Sequence, residues 1–510
     1  MGTHESAQTC RGPALSARPI RSSHGRWERV LSLANAAARG GAATLAGQLA
    51  RFLIQLLSVV ILTRLIAPSD FGVYAMVIAI IGVASVLGDF GLSMAAIQSQ
   101  TITQQQRSNL FWTNTGVGLV LFLSSFFAAP LIAAFYDRPE LTDIARWLAL
   151  TFLLNSLMAQ FRAEVSTKLK FTWLAAADVA ASAVALIAAV SVAAGGLGYW
   201  ALVVQQIVIA AVTLIILVIA ARWLPSMPRR GADMRALYTY GINTLGVQLL
   251  TYVTSNIDSI LIGRVWGASS LGLYDRAYQL FRLPLLQIAA PMTKVAMPIL
   301  SKLQADARYE SYVQRAQLVL SYCFGGTFLL LAAVSVPAID IMLGPGWDPA
   351  KPIFAILAIG GVFQGIGFVY YWVFLSRALT GLQLRWTVIA RSLMIAGVCV
   401  GVVWGPIGVA IALTAGQAVS WLLMTVFPMA KTGLQRRPLL AIAVRPIVVF
   451  MPMTVLSLLL SYTLIASWNE WLQLAVLLVA IGGYLGLSLL VPAIRRDYLE
   501  LWDVARRIRR

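Results

Sequence analysis

The chain reads as an all-α polytopic membrane protein of about fourteen transmembrane helices, built as two six-helix lobes plus two C-terminal helices. Three observations predict this. Of its 510 residues, 59% are apolar and only 12% charged, too little polar surface to cover a water-soluble fold of that size. Continuous apolar segments separated by short polar ones recur from about residue 42 to 491. Runs of roughly 20 apolar residues indicate spanning helices, whereas a barrel would show alternating pieces of about ten residues. Finally, 44–74 aligns with 244–274 without a gap, and eight of the 31 positions are identical: Thr44/Thr244, Leu45/Leu245, Gln48/Gln248, Leu49/Leu249, Arg64/Arg264, Ser69/Ser269, Gly72/Gly272 and Tyr74/Tyr274.

Taken in order, a basic tail (1–41) precedes six spans in 42–223, centred near 54, 82, 123, 154, 185 and 210. A linker (224–237) leads to a second set in 238–431, centred near 251, 288, 330, 364, 395 and 418. Two more spans, near 454 and 480, occupy 432–492, and 493–510 is a second basic tail. The repeat equates span one with span seven. Six crossings separate them, so both start in the same direction, which gives parallel lobes related by an axis along the membrane normal. Gly72 and Gly272 follow each lobe's first helix, where tight turning or close packing excludes a side chain. Arg26 to Arg39 and the terminal RRDYLELWDVARRIRR read as interfacial amphipathic helices.

The net charge of +19 is explained by orientation. With a cytoplasmic N-terminus and one crossing per span, 29 of the 39 Lys and Arg fall in the tails and inner loops. Six fall outside: Arg64, Arg138, Arg146, Arg264, Arg276 and Lys351. This is the positive-inside bias, with both termini cytoplasmic and anionic lipid heads as the basic segments' partners, and no nucleic acid is implied. The three cysteines lie in the tail and in two different spans, so no disulfide framework is expected. Both histidines, His4 and His24, lie in the tail, the outer connections are too short for a catalytic loop, and no GxxxxGK[ST] motif occurs. A membrane polymerase or ligase is therefore disfavoured, and no catalytic residue, metal site or cofactor is expected.

The chemistry lies in polar positions within the apolar spans. Gln48, Arg51, Gln55 and Ser58 are spaced to share one face of span one. Span seven repeats the stripe with Gln248, Thr251, Ser255 and Asp258. Such faces cannot look at lipid, and two at equivalent positions favour a shared cavity over simple helix-helix contact. Four cations remain inside spans: Arg51, Arg282, Lys294 and Arg391. Arg51, Lys294 and Arg391 fall in the cytoplasmic half and Arg282 in the outer half. Cations on several helices suit an anionic substrate, since Arg offers a planar fork to phosphate. The competing expectation is internal neutralisation, with Arg51 paired to Asp89. Asp89, Asp178 and Asp258 are the candidates for coupling transport to an ion gradient.

The segments LTRLIAPSDFGVYAM (62–76), GDFGLSMAAIQSQTITQQQRSNLFWTN (88–114), IAAFYDRPEL (132–141), GGLGYWALVVQQ (195–206) and SNIDSILIGRVWGASSLGLYDRAYQLFRLPL (255–285) resemble the polysaccharide-exporter branch of the multidrug/oligosaccharidyl-lipid/polysaccharide superfamily, the Wzx-type flippases. The later spans match in pattern only. The resemblance implies two six-helix lobes around a cationic cavity in a bacterial inner membrane. It also implies transfer of an undecaprenyl-diphosphate-linked oligosaccharide to the outer leaflet by alternating access, for lipopolysaccharide or exopolysaccharide synthesis. The diphosphate would bind Arg51, Arg282, Lys294 and Arg391. Polymerase, glycosyltransferases and a chain-length regulator are the implied pathway partners. A drug/cation antiporter or a peptidoglycan-precursor flippase of the same superfamily is the alternative, although an antiporter is expected to carry acidic groups in an otherwise uncharged cavity.

Overall fold

The computed structural model describes the backbone of residues 24–89, 103–228, 235–304 and 306–508, with side chains described from residue 44 except 84–102, 229–250, 253, 305, 504–505 and 507–510. The N-lobe comprises α1 (His24–Leu65), α2 (Pro68–Asp89), α3 (Gln104–Tyr136), α4 (Leu141–Thr167), α5 (Phe171–Ala194) and α6 (Trp200–Ala221). The next helical stretch, Arg235–Lys302, breaks at Gly267 (φ 79°, ψ −177°) and is therefore two helices, α7 (235–266) and α8 (268–302). The C-lobe continues with α9 (Tyr309–Ala333), α10 (Ala350–Ser376), α11 (Thr380–Gly401) and α12 (Gly405–Val426). Then come α13 (Arg436–Tyr462), α14 (Glu470–Ser488) and the terminal helix α15 (Pro492–Ile508).

Eleven helical stretches among the described residues are long and apolar enough to cross a membrane. Two of these are double, α7–α8 and α11–α12, and α2 contributes a shorter apolar segment, so the fourteen expected crossings are all helices. The expected interfacial helix at Arg26 to Arg39 is continuous with the first span in one 42-residue helix, because the Ala-rich stretch between them holds no proline to end it.

Helix packing repeats between lobes: α3–α4, α5–α6 and α4–α6 in the first recur as α9–α10, α11–α12 and α10–α12 in the second. The duplicated segment itself forms the contact between the lobes. A Cβ on Gly72 would lie 1.7 Å from the Ala268 carbonyl oxygen, and one on Gly272 would lie 1.8 Å from that of Pro68. Position 72 thus meets 268 and position 272 meets 68, a reciprocal contact with the symmetry of the repeat. Close packing against the other lobe, rather than turning within one, is what excludes the side chains.

Flanking contacts are reciprocal too. Arg64 at the end of α1 donates to the Ile341 carbonyl at 2.9 Å, and Trp347 Nε1 donates to the Thr63 carbonyl at 3.1 Å. Arg264 at the end of α7 lies 5.9 Å from the Phe135 ring, and Tyr136 packs on Gly263. The lobes are closed against each other at the end carrying the Pro68 and Ala268 turns.

The terminal helix docks on this body through Asp497, which accepts from the Tyr322 hydroxyl at 2.7 Å and is ion-paired with Arg445. Many large apolar side chains stay exposed along the helices, Phe127, Leu131, Val400, Leu456 and Val479 among them. Such a belt is what a lipid environment solvates.

Candidate functional site

Each lobe encloses paired chambers, and in each an arginine stands where the two meet. In the N-lobe α1 packs on α5, which brings Arg51 Nη1 to 3.7 Å from Asp178 Oδ2. Helix α4 brings Arg162 Nη2 to 2.6 Å from the other oxygen of the same carboxylate. One chamber, toward the closed end, is lined by Arg51, Gln55, Ser58, Gln205, Gln206 and Arg276. The other is lined by Arg51, Asn155, Arg162, Asp178 and Tyr252. Gln205 Nε2 donates to Ser58 Oγ at 2.8 Å, so part of this wall is satisfied internally. Arg276 reaches in from α8 of the opposite lobe, 4.6 Å from the Phe71 ring and ion-paired with Asp275.

In the C-lobe Arg282 of α8 and Arg391 of α11 line one cavity together with Thr254, Ser255 and Asp258 of α7. The buried Asp258 accepts from the Tyr274 hydroxyl at 2.6 Å. Among the described residues neither Arg282 nor Arg391 has a carboxylate within ion-pair distance, and Tyr278 lines the same cavity. Arg391 also borders a second chamber, between α10, α11 and α12. Arg282 is exposed to the cavity and Arg391 half-buried, and two guanidinium forks lining one cavity can hold a diphosphate by several charge-assisted hydrogen bonds.

The structure regroups the residues expected from sequence. Arg282 and Arg391, expected toward opposite sides of the membrane, line one cavity. Arg51 lies in the other lobe. Among the described residues its ion-pair partner is Asp178 of α5; the Asp89 side chain, the expected partner, lies outside the described residues. Lys294 is exposed and lines none of these chambers. Twelve residues separate it from Arg282 along α8, roughly 18 Å. Gln55, Ser58, Ser255 and Asp258 face chambers as their spacing indicated. Gln48 and Thr251 are exposed, and the Gln248 side chain lies outside the described residues.

Three contributors were assigned elsewhere or overlooked: Arg162 and Arg276, both placed in loops, and the Gln205–Gln206 pair. Helical spacing carried the signal. Arg276 and Gln279 follow Gly272 at four and seven residues, on the face that meets the N-lobe.

Two helical lobes in parallel repeat, closed at one end and holding arginine-lined chambers, define a polytopic membrane transporter. The chain belongs to the polysaccharide biosynthesis protein family, whose profile matches residues 61–352, more than half of its length. It is 30% identical over 288 residues to the teichuronic acid biosynthesis protein TuaB of Bacillus subtilis, an alignment covering 55% of this chain and 59% of that protein. It is 23% identical over 368 residues to the lipopolysaccharide biosynthesis protein WzxC of Escherichia coli, covering 71% of this chain and 73% of the relative. The fold is similar to that of the lipid II flippase MurJ in an inward closed conformation, with a TM-score of 0.68, 15% identity, and coverage of 89% of this chain and 99% of that one.

Proposed function

We propose that the protein is a flippase that carries an undecaprenyl-diphosphate-linked oligosaccharide from the inner to the outer leaflet of a bacterial inner membrane. The observation that carries this reading is the convergence of Arg282 and Arg391 on one cavity with no ion-pair partner among the described residues. A cation placed within a bilayer-spanning helix costs roughly 2.5–3.5 kcal/mol on insertion scales, and an anionic substrate offsets part of that cost when it arrives. A cationic drug would increase it, which disfavours the antiporter reading. Family membership and the relatives named for polysaccharide synthesis support a sugar-bearing cargo. Peptidoglycan precursors share the diphosphate and stay the second reading, supported by the fold's likeness to a lipid II flippase.

The lobes 42–223 and 238–431 move as the two bodies of an alternating-access cycle, joined by 224–237, while 432–492 and the terminal tails ride with them. Both termini are cytoplasmic, as the charge bias requires. The Pro68/Ala268 seam then lies on the outer side, and the closed seam makes this an outer-closed state. Diphosphate binding between Arg282, Arg391 and Arg51 draws the inner ends together while the seam parts. Asp178 and Asp258 are the groups through which an ion gradient couples to that exchange. The protein catalyses no bond-making step, and the polymerase and chain-length regulator act on its product.

Reconstitution into liposomes with a fluorescent polyprenyl-diphosphate sugar tests this directly. Outward transfer should fall at least tenfold when Arg282 and Arg391 are both changed to Gln, with folded protein at normal levels. Unchanged transfer in that variant would remove the diphosphate from this cavity.

A further inference from the structure

We infer that the second C-lobe chamber, between α10, α11 and α12, is a sugar-binding subsite that takes the residues attached directly to the diphosphate. This rests on the flippase reading above. Arg391 lines both this chamber and the cavity holding Arg282, as do Gln364 and Gln417, so the two spaces adjoin at the arginine. A diphosphate gripped there places its next substituent in the adjoining chamber.

The walls have the chemistry of sugar recognition. Phe363 and Tyr371 line the chamber, and Phe363 lies 5.9 Å from Trp421 at an interplanar angle of 46°. Tyr371 is 41% exposed, so its ring face is available. A pyranose has an apolar C–H face that packs on such rings and a rim of hydroxyls. Gln364, Gln383 and Gln417 supply amides that both donate and accept, as hydroxyls require. Among the described residues the side-chain amides of Gln364 and Gln383 have no hydrogen-bond partner, and that of Gln417 donates only to the Met394 sulfur at 4.0 Å. A polyprenyl chain in this chamber would strand all three amides without partners, at a desolvation cost, whereas a sugar satisfies them. The N-lobe differs here, since Gln205 is already bonded to Ser58.

Binding to the full-length protein in lipid nanodiscs tests the subsite. The reference probe is farnesyl methyl diphosphate, a diester with the charge of a glycosyl carrier and no sugar. The other probes replace the methyl group with glucose, galactose, N-acetylglucosamine or N-acetylgalactosamine. The wild type should bind at least one glycosyl probe about fivefold or more tighter than the methyl diester. Tyr371→Ala combined with Gln383→Ala, two residues that line the second chamber and not the Arg282 cavity, should erase that gain and leave methyl-diester binding within twofold. Arg391→Gln should weaken all probes by about tenfold. If no sugar improves on methyl in the wild type, or if the Tyr371/Gln383 variant weakens both probe types alike, the sugar subsite is wrong while the diphosphate site stands. If wild-type protein binds neither probe type, the diphosphate reading falls and the subsite falls with it. Binding of glycosyl probes alone would overturn the diphosphate reading and keep the subsite.

Discussion

The two lobes hold the same charged groups wired in opposite ways. One chamber in each holds two arginines and one aspartate: Arg51, Arg162 and Asp178 in the first, Arg282, Arg391 and Asp258 in the second. In the N-lobe the carboxylate bridges both guanidinium groups, at 3.7 and 2.6 Å. In the C-lobe Tyr274 engages the carboxylate instead, and the arginines keep their forks open. The duplication placed polar residues at matching depths, but position 58 is Ser in one copy and Asp in the other. The acid therefore arises on α5 in the first lobe and on α7 in the second. A bridged cation must break its pair to grip a substrate, while an open one need not. On the flippase function proposed above, equivalent architecture supports unequal tasks: strong capture in the C-lobe, and a weaker, exchangeable contact in the N-lobe that permits release.

Where the lobes are alike, damage should be equal, and there the largest effects are expected. Gly72→Val and Gly272→Val each drive a side chain into a backbone carbonyl of the other lobe. Neither carbonyl can move without its helix, so the closed seam is penalised by at least the 1–3 kcal/mol typical of overpacking, which is a shift of about fivefold or more toward the open seam. Spin labels at positions 135 and 264, which flank the seam, should report longer distances in both variants, with transport falling about tenfold in each. An effect in one variant but not the other would break the symmetry of the contact.

Where the lobes differ, damage should be unequal. Arg282→Gln removes an open fork and should weaken diphosphate binding about tenfold, within the range for a charged hydrogen-bonded contact. Arg51→Gln removes a cation that is half neutralised already, and the loss should be no more than about threefold. Titration of purified protein with farnesyl diphosphate measures both. Equal losses would mean that the bridged and open arrangements have no functional meaning.

Much of this was legible in the sequence, for reasons that differ by residue. The fourteen crossings follow from hydropathy, because the bilayer admits only helices of fixed length. The repeat marked Gly72 and Gly272 as special, but a one-dimensional pattern cannot say that each faces the other lobe's backbone. Ser58 and Asp258 faced their chambers as the stripes indicated, since helical periodicity fixes the face. The convergence of Arg282 with Arg391 was hidden, because it depends on how α8 and α11 cross. Arg162 and Arg276 were assigned to loops because a charge near a span's end was counted as outside it, although α4 and α8 continue past both positions. The Asp178 partner of Arg51 follows from α1 packing on α5, a contact between helices far apart in the chain.

The smallest expected effect is the most informative about the N-lobe. Arg51 is 55% and Asp178 25% exposed at the side chain, so the pair sits in a hydrated chamber and is worth little, about 0.5–1 kcal/mol. Arg162 holds the same carboxylate at 2.6 Å and would keep Asp178 compensated if Arg51 were lost. Arg51→Ala should therefore leave folded protein near normal and slow transport only about two- to fivefold. Arg51→Lys should recover part of that, because the charge returns without the bidentate fork. Asp178→Ala frees two cations at once and should tighten capture in the N-lobe, which slows release. The double variant Arg51→Ala with Asp178→Ala leaves Arg162 as a single unpaired cation. If Arg51 serves only to neutralise Asp178, this double variant should transport as well as the wild type. If Arg51 also contacts the passing diphosphate, the double variant should stay slower than wild type by at least the loss seen for Arg51→Ala, and the coupling measured in the cycle should be under about 1 kcal/mol. Full recovery in the double variant would reduce Arg51 to a structural counter-charge and leave the C-lobe arginines alone in the substrate path.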